Sequence, residues 1–296
     1  MIPFPESIPL QKLENETTRL HQVNLYVLRL DAIDLYSGGN KLFKLKYNLE
    51  EALKQGYKKI LTFGGAWSNH LAAIAAVSSK QLAVVAIVRG EEPKVYSDTL
   101  NYCQEKGVQL HFVSRKEYRN KTSPAFIEEL KNKFGEFYLL PEGGTNTLAV
   151  KGCKEIVNYA PIDFDYICTP VGSGGTIAGI TSALKSNQQA LGFSVLKGAN
   201  YLTDEVNKLL NEFNIQNSKF KIVGDYHFGG YAKTTPELMS FKKDFETQSN
   251  IPLDYVYTVK MFYGIFDLIK KGYFKENSTI IAVHTGGLQG NKGFEK

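Results

Sequence analysis

Tyr166 to Ile180 reads YICTPVGSGGTIAGI: an apolar and β-branched run, a turn with glycines at 172, 174 and 175, then apolar residues at helical spacing. A strand that passes through glycines into a helix is the repeating unit of a parallel sheet covered by helices. Gly172, Gly174 and Gly175 permit a tight turn whose backbone N–H groups converge on one anion, and Ser173 and Thr176 add hydroxyl donors. The spacing is neither GxGxxG nor GxxxxGK followed by Ser or Thr, so a cup for a single phosphate fits better than a dinucleotide fold or a Walker-type site. A glycine turn with a purely structural role fits the same letters.

The same rhythm extends in both directions. Apolar runs at residues 59–63, 83–89, 108–113 and 137–140 precede the stretch, and runs at 192–198, 219–224 and 278–284 follow it. With Tyr166 to Pro170 these are the expected strands, and helical patterns fill the gaps between them. KLFKLKYNLEEALKQG, from Lys41 to Gly56, predicts a helix capped by Asn40 and stopped by its glycine. The expected fold class is α/β, two-lobed, with mostly parallel sheets.

The chain has 296 residues, about twice a common domain length, so two packed lobes are expected. A chain of this size buries enough surface to stand without disulfides or structural zinc. Cys103, Cys153 and Cys168 are odd in number and widely spaced, and read as free buried thiols. The five histidines show no ligand spacing, which leaves metal catalysis without support. The net charge of +5 is spread without a basic stripe, which disfavours a nucleic-acid partner. Apolar runs such as LAVVAIV, Leu82 to Val88, are too short to span a bilayer, and the start lacks a signal-like pattern. A soluble cytoplasmic protein with no membrane partner is expected.

Three further stretches carry candidate chemistry. YSGGNKLFKL, Tyr36 to Leu45, sets Lys41 at a helix start, where burial and the helix field lower an amine's pKa and suit it to a Schiff base; Lys44 and Lys46 read as solvated charges. LTFGGAWSNH, Leu61 to His70, runs from a strand through a turn into the helical LAAIAAVSS, residues 71–79. Ser68, Asn69 and His70 there stand beside exposed helix amides and suit a carboxylate, although Ser68 or Asn69 also serves as a simple cap. FGGYAKTTPE, Phe228 to Glu237, and YVYTVK, Tyr255 to Lys260, offer Tyr231 and Tyr257 for acid–base work if their pKa values fall, or for packing. Glu237 reads as exposed helix and Lys260 as a surface or structural residue. HTGGLQG, His284 to Gly290, is a rim or a turn.

Taken together and in order, GGNKLFKL, GGAWSNH, VGSGGT, FGGYAK and YVYTVK resemble the 1-aminocyclopropane-1-carboxylate deaminase and D-cysteine desulfhydrase family over nearly the whole chain. That resemblance implies pyridoxal 5′-phosphate as cofactor, a small amino-acid substrate, a homodimer, and the tryptophan-synthase-β-like fold called fold type II. It implies that Lys41 bonds the cofactor and that Gly172, Ser173, Gly174, Gly175 and Thr176 hold its phosphate. It puts Ser68, Asn69 and His70 in the carboxylate and cofactor pocket, Tyr231 and Tyr257 next to the substrate, and Thr258 at the ring nitrogen. The catalytic set is then Lys41, Ser68, Tyr231 and Tyr257.

Two positions separate the branches of that family. Thr258 stands where the ring-opening deaminases have glutamate, and His70 where they have glutamine; both resemble the desulfhydrase branch. A neutral threonine gives the ring nitrogen no negative charge, and a sulfur leaving group needs a weaker electron sink. Trp67, Val259 and the lead RLDAIDLYSGGN, Arg29 to Asn40, depart from the family pattern. The expected activity is a lyase that converts D-cysteine to pyruvate, ammonia and hydrogen sulfide. The alternatives are a 1-aminocyclopropane-1-carboxylate deaminase, a hydrolase forming 2-oxobutanoate and ammonia, and a non-catalytic pyridoxal-phosphate-binding protein. The expected domains are a discontinuous cofactor lobe, residues 1–47 and 153–296, and a smaller α/β lobe, residues 48–152.

Overall fold

The computed structural model describes residues 4–77, 82–215 and 219–294. Among them ten strands build two sheets. The first holds β1 (Leu10–Leu13), β2 (Asn24–Arg29), β7 (Tyr166–Val171), β8 (Gln189–Ser194), β9 (Phe220–Val223) and β10 (Thr279–His284) in the order β1-β2-β10-β7-β8-β9. The second holds β3 (Lys59–Gly64), β4 (Ala83–Arg89), β5 (Gln109–Val113) and β6 (Tyr138–Leu139) in the order β5-β4-β3-β6. Only β1 runs antiparallel, against β2; every other pairing is parallel. The α/β class with mostly parallel sheets is therefore as expected.

Two corrections concern strands. β1 and β2 were not among the expected strands, because LQKL and NLYVLR alternate weakly and lie ahead of the first helix pattern. β2 nonetheless pairs residue for residue with β10, from Asn24 beside Thr279 to Arg29 beside His284. β8 runs Gln189–Ser194 and not over residues 192–198, so Gly192 is interior to it. A Cβ on Gly192 would lie 2.5 Å from Ile177 Cδ1, so this glycine admits the covering helix and does not begin the strand.

The helices Asn40–Lys54 and Thr147–Lys154 pack together and serve both sheets. Leu42, Phe43, Val150 and Cys153 join the core with Ile167 and Ile177, whereas Leu45, Leu49 and Ala52 join Ile60, Leu71 and Val84. Each such aliphatic or aromatic side chain contributes about 1.5–3 kcal/mol when fully buried. Cuts after residues 47 and 152 pass through these two helices, which act as a common spine. Asn40 is not the cap of its helix: Gly39 holds that place, and the Asn40 amide instead donates to Thr176 Oγ1 at 2.7 Å. The helix after β3 is Asn69–Val77; the expected Ser78 and Ser79 lie outside the described residues. Cys103, Cys153 and Cys168 are free and buried, as expected. No helix among the described residues is long and apolar enough to cross a membrane.

Candidate active site

Parallel strands present their carboxyl ends on one side, and side chains from several of those ends meet between the two sheets. β3 leads into the Gly65 to Ser68 turn, β7 into Gly172, β10 into Thr285, and β4 ends at Arg89. These residues line one cavity of about 820 Å³ together with Lys41, Lys44, His70, Tyr231, Asp254 and Tyr257. The scattered sequence candidates therefore converge on one place, except that Gly175 lies within the cup's turn without lining the cavity and Thr258 lies away from it as described below.

The glycine turn after β7 forms a cup at the start of the Gly175–Ser182 helix. Gly174 has φ +81, a left-handed conformation, and a Cβ on it would lie 2.9 Å from Val206 Cγ2. A Cβ on Gly175 would lie 2.8 Å from Thr145 Cγ2 and 3.3 Å from Lys44 Nζ, so a side chain there closes the cup. Around it stand donors: Ser173 and Thr145 hydroxyls 2.6 Å apart, Thr176, and helix-start amides.

Lys44 corrects the sequence reading most sharply. It is only 2 % exposed, and its amine donates to Thr145 Oγ1 at 2.8 Å, Ser173 Oγ at 3.3 Å and the Gly143 carbonyl at 3.4 Å. Lys41, one turn earlier and partly exposed, donates to the same carbonyl at 3.4 Å. Burial lowers both amines below the usual lysine range, and the Lys44 charge lowers Lys41 further. Lys46, in contrast, pairs with Glu155 at 2.7 Å on a half-exposed surface.

No ion pair engages Lys41 or Lys44 among the described residues. The buried Lys44 amine, the partly exposed Lys41 amine, a helix start and two hydroxyls converge with no carboxylate in the cup. Buried cations require anionic compensation, so this donor set fits a ligand with a doubly charged phosphate and a carbonyl within reach of Lys41. Pyridoxal phosphate meets both conditions. Lys41 would hold its carbonyl carbon, and Lys44, Ser173, Thr176 and the amides following Gly174 would hold its phosphate.

The turn after β3 supplies the opposite wall. Ser68 Oγ accepts from Leu71 N–H at 3.3 Å, so it does cap the helix while its own proton stays available to a ligand oxygen. Thr99 Oγ1 donates to Gln289 Oε1 at 2.5 Å and Gln289 Nε2 donates to Asn69 Oδ1 at 2.6 Å. That chain turns the Asn69 amide so that its Nδ2 protons remain as donors. Ser68 and Asn69 are thus suited to an anionic oxygen.

His70 is not. Its Nε2 lies 2.7 Å from Thr62 Oγ1, whose single proton goes to the Leu140 carbonyl at 2.9 Å. Nε2 must then carry a proton and donate it. Burial, with the charges of Lys41 and Lys44, pushes the ring pKa well below its usual value, so the ring is neutral and Nδ1 is a bare acceptor. Nδ1 is buried with no hydrogen-bonding partner among the described residues. His70 lines the cavity, but in this tautomer it offers a carboxylate no proton, which corrects its expected place among the carboxylate donors.

Tyr231 and Tyr257 meet edge to face with ring centroids 6.0 Å apart. Tyr257 covers the glycine cup: a Cβ on Gly172 would stand 3.4 Å from its ring. Burial, and then Tyr231, push the Tyr257 pKa well above its usual value, so the condition of a lowered pKa set for acid–base work is not met at Tyr257. Tyr257 therefore keeps its hydroxyl proton and is not a resident phenolate.

Thr258 is fully buried and does not line the cavity. Its hydroxyl donates to Asp254 Oδ1 at 2.7 Å and accepts from the Asp254 N–H at 2.9 Å. Asp254 also accepts the N–H groups of Val256, Tyr257 and Thr258 at 2.9, 2.8 and 2.7 Å, so it anchors the start of the Thr258–Lys270 helix. The threonines on the cavity wall are Thr176, in the cup, and Thr285, just past the end of β10. Asp254→Ala leaves buried N–H groups without an acceptor and is expected to lower stability by about 1–3 kcal/mol, read from urea unfolding. Lys44 and Thr285 lie inside the quoted YSGGNKLFKL and HTGGLQG without being singled out as site residues, and Asp254 and the rim residues Arg89, Arg115 and Glu142 lie in no stretch read for chemistry.

A family model described as pyridoxal-phosphate dependent enzyme matches residues 3–286 of the chain. A Pyrococcus furiosus protein provisionally named a 1-aminocyclopropane-1-carboxylate deaminase is 34% identical, over 97% of this chain and 91% of the relative. An Arabidopsis thaliana mitochondrial protein, named a bifunctional D-cysteine desulfhydrase/1-aminocyclopropane-1-carboxylate deaminase, is 33% identical, over 90% of this chain and 73% of the relative. A crystal structure of an ACC deaminase homologue superposes with a TM-score of 0.84 at 28% identity, covering 98% of this chain and 93% of the other.

Proposed function

Since the chain belongs to the pyridoxal-phosphate dependent enzymes, we propose that it is the lyase of that family that takes D-cysteine to pyruvate, ammonia and hydrogen sulfide. The observation that carries this reading is the Asp254 carboxylate beside Thr258. Its oxygens already accept four hydrogen bonds within the helix start, at 2.7 to 2.9 Å, and so are spent. A ring-opening deamination without an α-hydrogen to remove asks for a strong anionic partner at the ring nitrogen. Elimination of a thiolate asks for less.

Bound in the cup, the cofactor supplies an electron-accepting ring that acidifies the α-hydrogen of the amino acid. The remaining work falls to side chains. Ser68 Oγ–H and Asn69 Nδ2 grip the substrate carboxylate and set the α-carbon's hydrogen towards Lys41. The Lys41 amine, kept partly neutral by burial and by Lys44, takes that hydrogen as a proton. Tyr257 keeps its proton at neutral pH and donates it to the departing sulfur, with Tyr231 at its edge. The two lobes shield these transfers from bulk water.

Sulfide and keto-acid assays over D-cysteine, L-cysteine, D-serine and 1-aminocyclopropane-1-carboxylate test the assignment. D-cysteine is expected to be the preferred substrate. Faster release of 2-oxobutanoate from the cyclopropane amino acid would reverse the choice, and no keto acid from any of them would leave a binding protein. Tyr257→Phe is expected to keep cofactor binding and lower kcat about 10²- to 10⁴-fold, the range for a lost general acid. Turnover at the wild-type rate would remove Tyr257 from the proton path.

A further inference from the structure

Tyr231 is about half exposed, at 49 %, and is carried by a loop in unusual backbone conformations. Phe228, Gly229, Gly230 and Ala232 have φ of +49, +91, +117 and +55°. Two of these are not glycines, and such left-handed residues persist only where their surroundings over-determine them. Tyr231 touches Tyr257 directly, ring edge to face and through a side-chain hydrogen bond, but the strained loop that carries it needs support of its own.

The surroundings are supplied from another element. Lys260 is completely buried, and its amine donates to the His227 carbonyl at 2.9 Å and the Gly230 carbonyl at 2.7 Å. Those two carbonyls bracket the strained turn. The loop's other backbone ties are local, Gly230 N–H to the His227 carbonyl at 3.0 Å and Gly229 N–H to His227 Nδ1 at 3.0 Å, and its remaining side-chain contacts are Phe228 edge-on to Tyr263 at 4.8 Å and Tyr231 on Tyr257. Lys260 has no ion pair among the described residues. Burial brings its pKa down to about 8, against the opposing pull of Asp254. A neutral amine still has two N–H groups for the two carbonyls, so the contact keeps its donors in either charge state.

Lys260 lies one helical turn after Tyr257, on the helix whose start Asp254 secures. We propose that Lys260 is a positioning residue that clamps the Tyr231 loop to the helix bearing Tyr257 and so sets the two hydroxyls relative to each other and to the cavity. Tyr257 is fixed to the helix directly; the backbone of the loop that carries Tyr231 is fixed to the same helix through Lys260, beside the direct contact of the two side chains. The side chain that looked like a surface or structural lysine thus joins the two halves of a proton-handling pair. This role rests on the reaction assigned above.

The test is a double-mutant cycle on the cofactor-loaded full chain, with hydrogen exchange beside it. Lys260→Met fills the same volume without donors. It is expected to speed amide exchange across residues 228–232 by about a hundredfold while the Thr258–Lys270 helix keeps its protection. Cofactor absorbance is expected to stay, and kcat to fall about a hundredfold with KM moving much less. In a Tyr231→Phe background the same Lys260→Met change is expected to cost little more, because the hydroxyl it positions is already gone. An equal loss in both backgrounds would make Lys260 merely structural and overturn the proposal. So would an unchanged kcat, unchanged exchange, or full activity of Tyr231→Phe alone. Should Lys260→Met fail to load cofactor, Lys260→Gln, which retains donors for one carbonyl, takes its place in the cycle. Exchange needs no substrate, so it separates failure of the clamp from failure of the reaction assignment.

Discussion

Lys41→Ala is expected to lose at least about 10³-fold in turnover, together with the lysine-bound absorbance of the cofactor, while the chain stays folded. Two roles end at once: the covalent hold on the cofactor and the amine that takes the α-proton. Folding is spared because Lys41 makes only one hydrogen bond, a long one of 3.4 Å to Gly143. Its charge also stands near Lys44 at a helix start, an unfavourable place for a cation. Borohydride reduction of the wild type, followed by peptide mapping, is expected to place the pyridoxyl group on Lys41. A labelled peptide elsewhere, or wild-type turnover by Lys41→Ala, would take Lys41 out of the chemistry.

Position in the chain made Lys41 legible: GGNK puts an amine at a helix start after a flexible turn, and a helix start is exposed by construction. The same holds for the glycine cup and for Ser68 and Asn69, all at strand-to-helix turns where function concentrates. Lys44 was misread because three residues later on an amphipathic helix a lysine ordinarily meets solvent. Which face meets solvent depends on the Thr147–Lys154 helix and on Thr145, a hundred residues away. For His70 and Tyr257 the type of side chain was legible and its proton inventory was not. The His70 tautomer depends on where the Thr62 proton goes, to the Leu140 carbonyl 78 positions along the chain, and the Tyr257 pKa depends on burial; neither is local in sequence. Thr258 illustrates the limit of a motif. TVK marks its place, but only Asp254, four residues earlier, reveals that its hydroxyl is engaged in holding a helix. β2 shows the same limit for the fold, since an ordinary six-residue run becomes an interior strand, parallel to its neighbour, only when β10 arrives from the far end of the chain.

Lys44→Met is expected to move two stabilities in opposite directions. Without ligand, the protein carries the cost of a buried amine that meets only hydroxyls and a carbonyl, and an isosteric apolar side chain removes that cost. The ligand-free variant should therefore melt higher than wild type. With cofactor the sign reverses. A charge-assisted contact to phosphate contributes about 1.5–3 kcal/mol, so its loss weakens cofactor binding about tenfold to a hundredfold. The pH dependence follows from the direction of the shift. Lys44 has a lowered pKa in the folded chain and the ordinary 10.5 when unfolded, so between those values the unfolded chain binds more protons. The ligand-free wild type carries the full penalty below the lowered value and gains stability as pH rises towards 10.5; Lys44→Met loses that gain. Cofactor titration by absorbance and thermal unfolding with and without pyridoxal phosphate read both signs. A variant that melts lower in both states would show that Lys44 is a packing residue, and that the phosphate is held by Ser173, Thr176 and the amides following Gly174 alone.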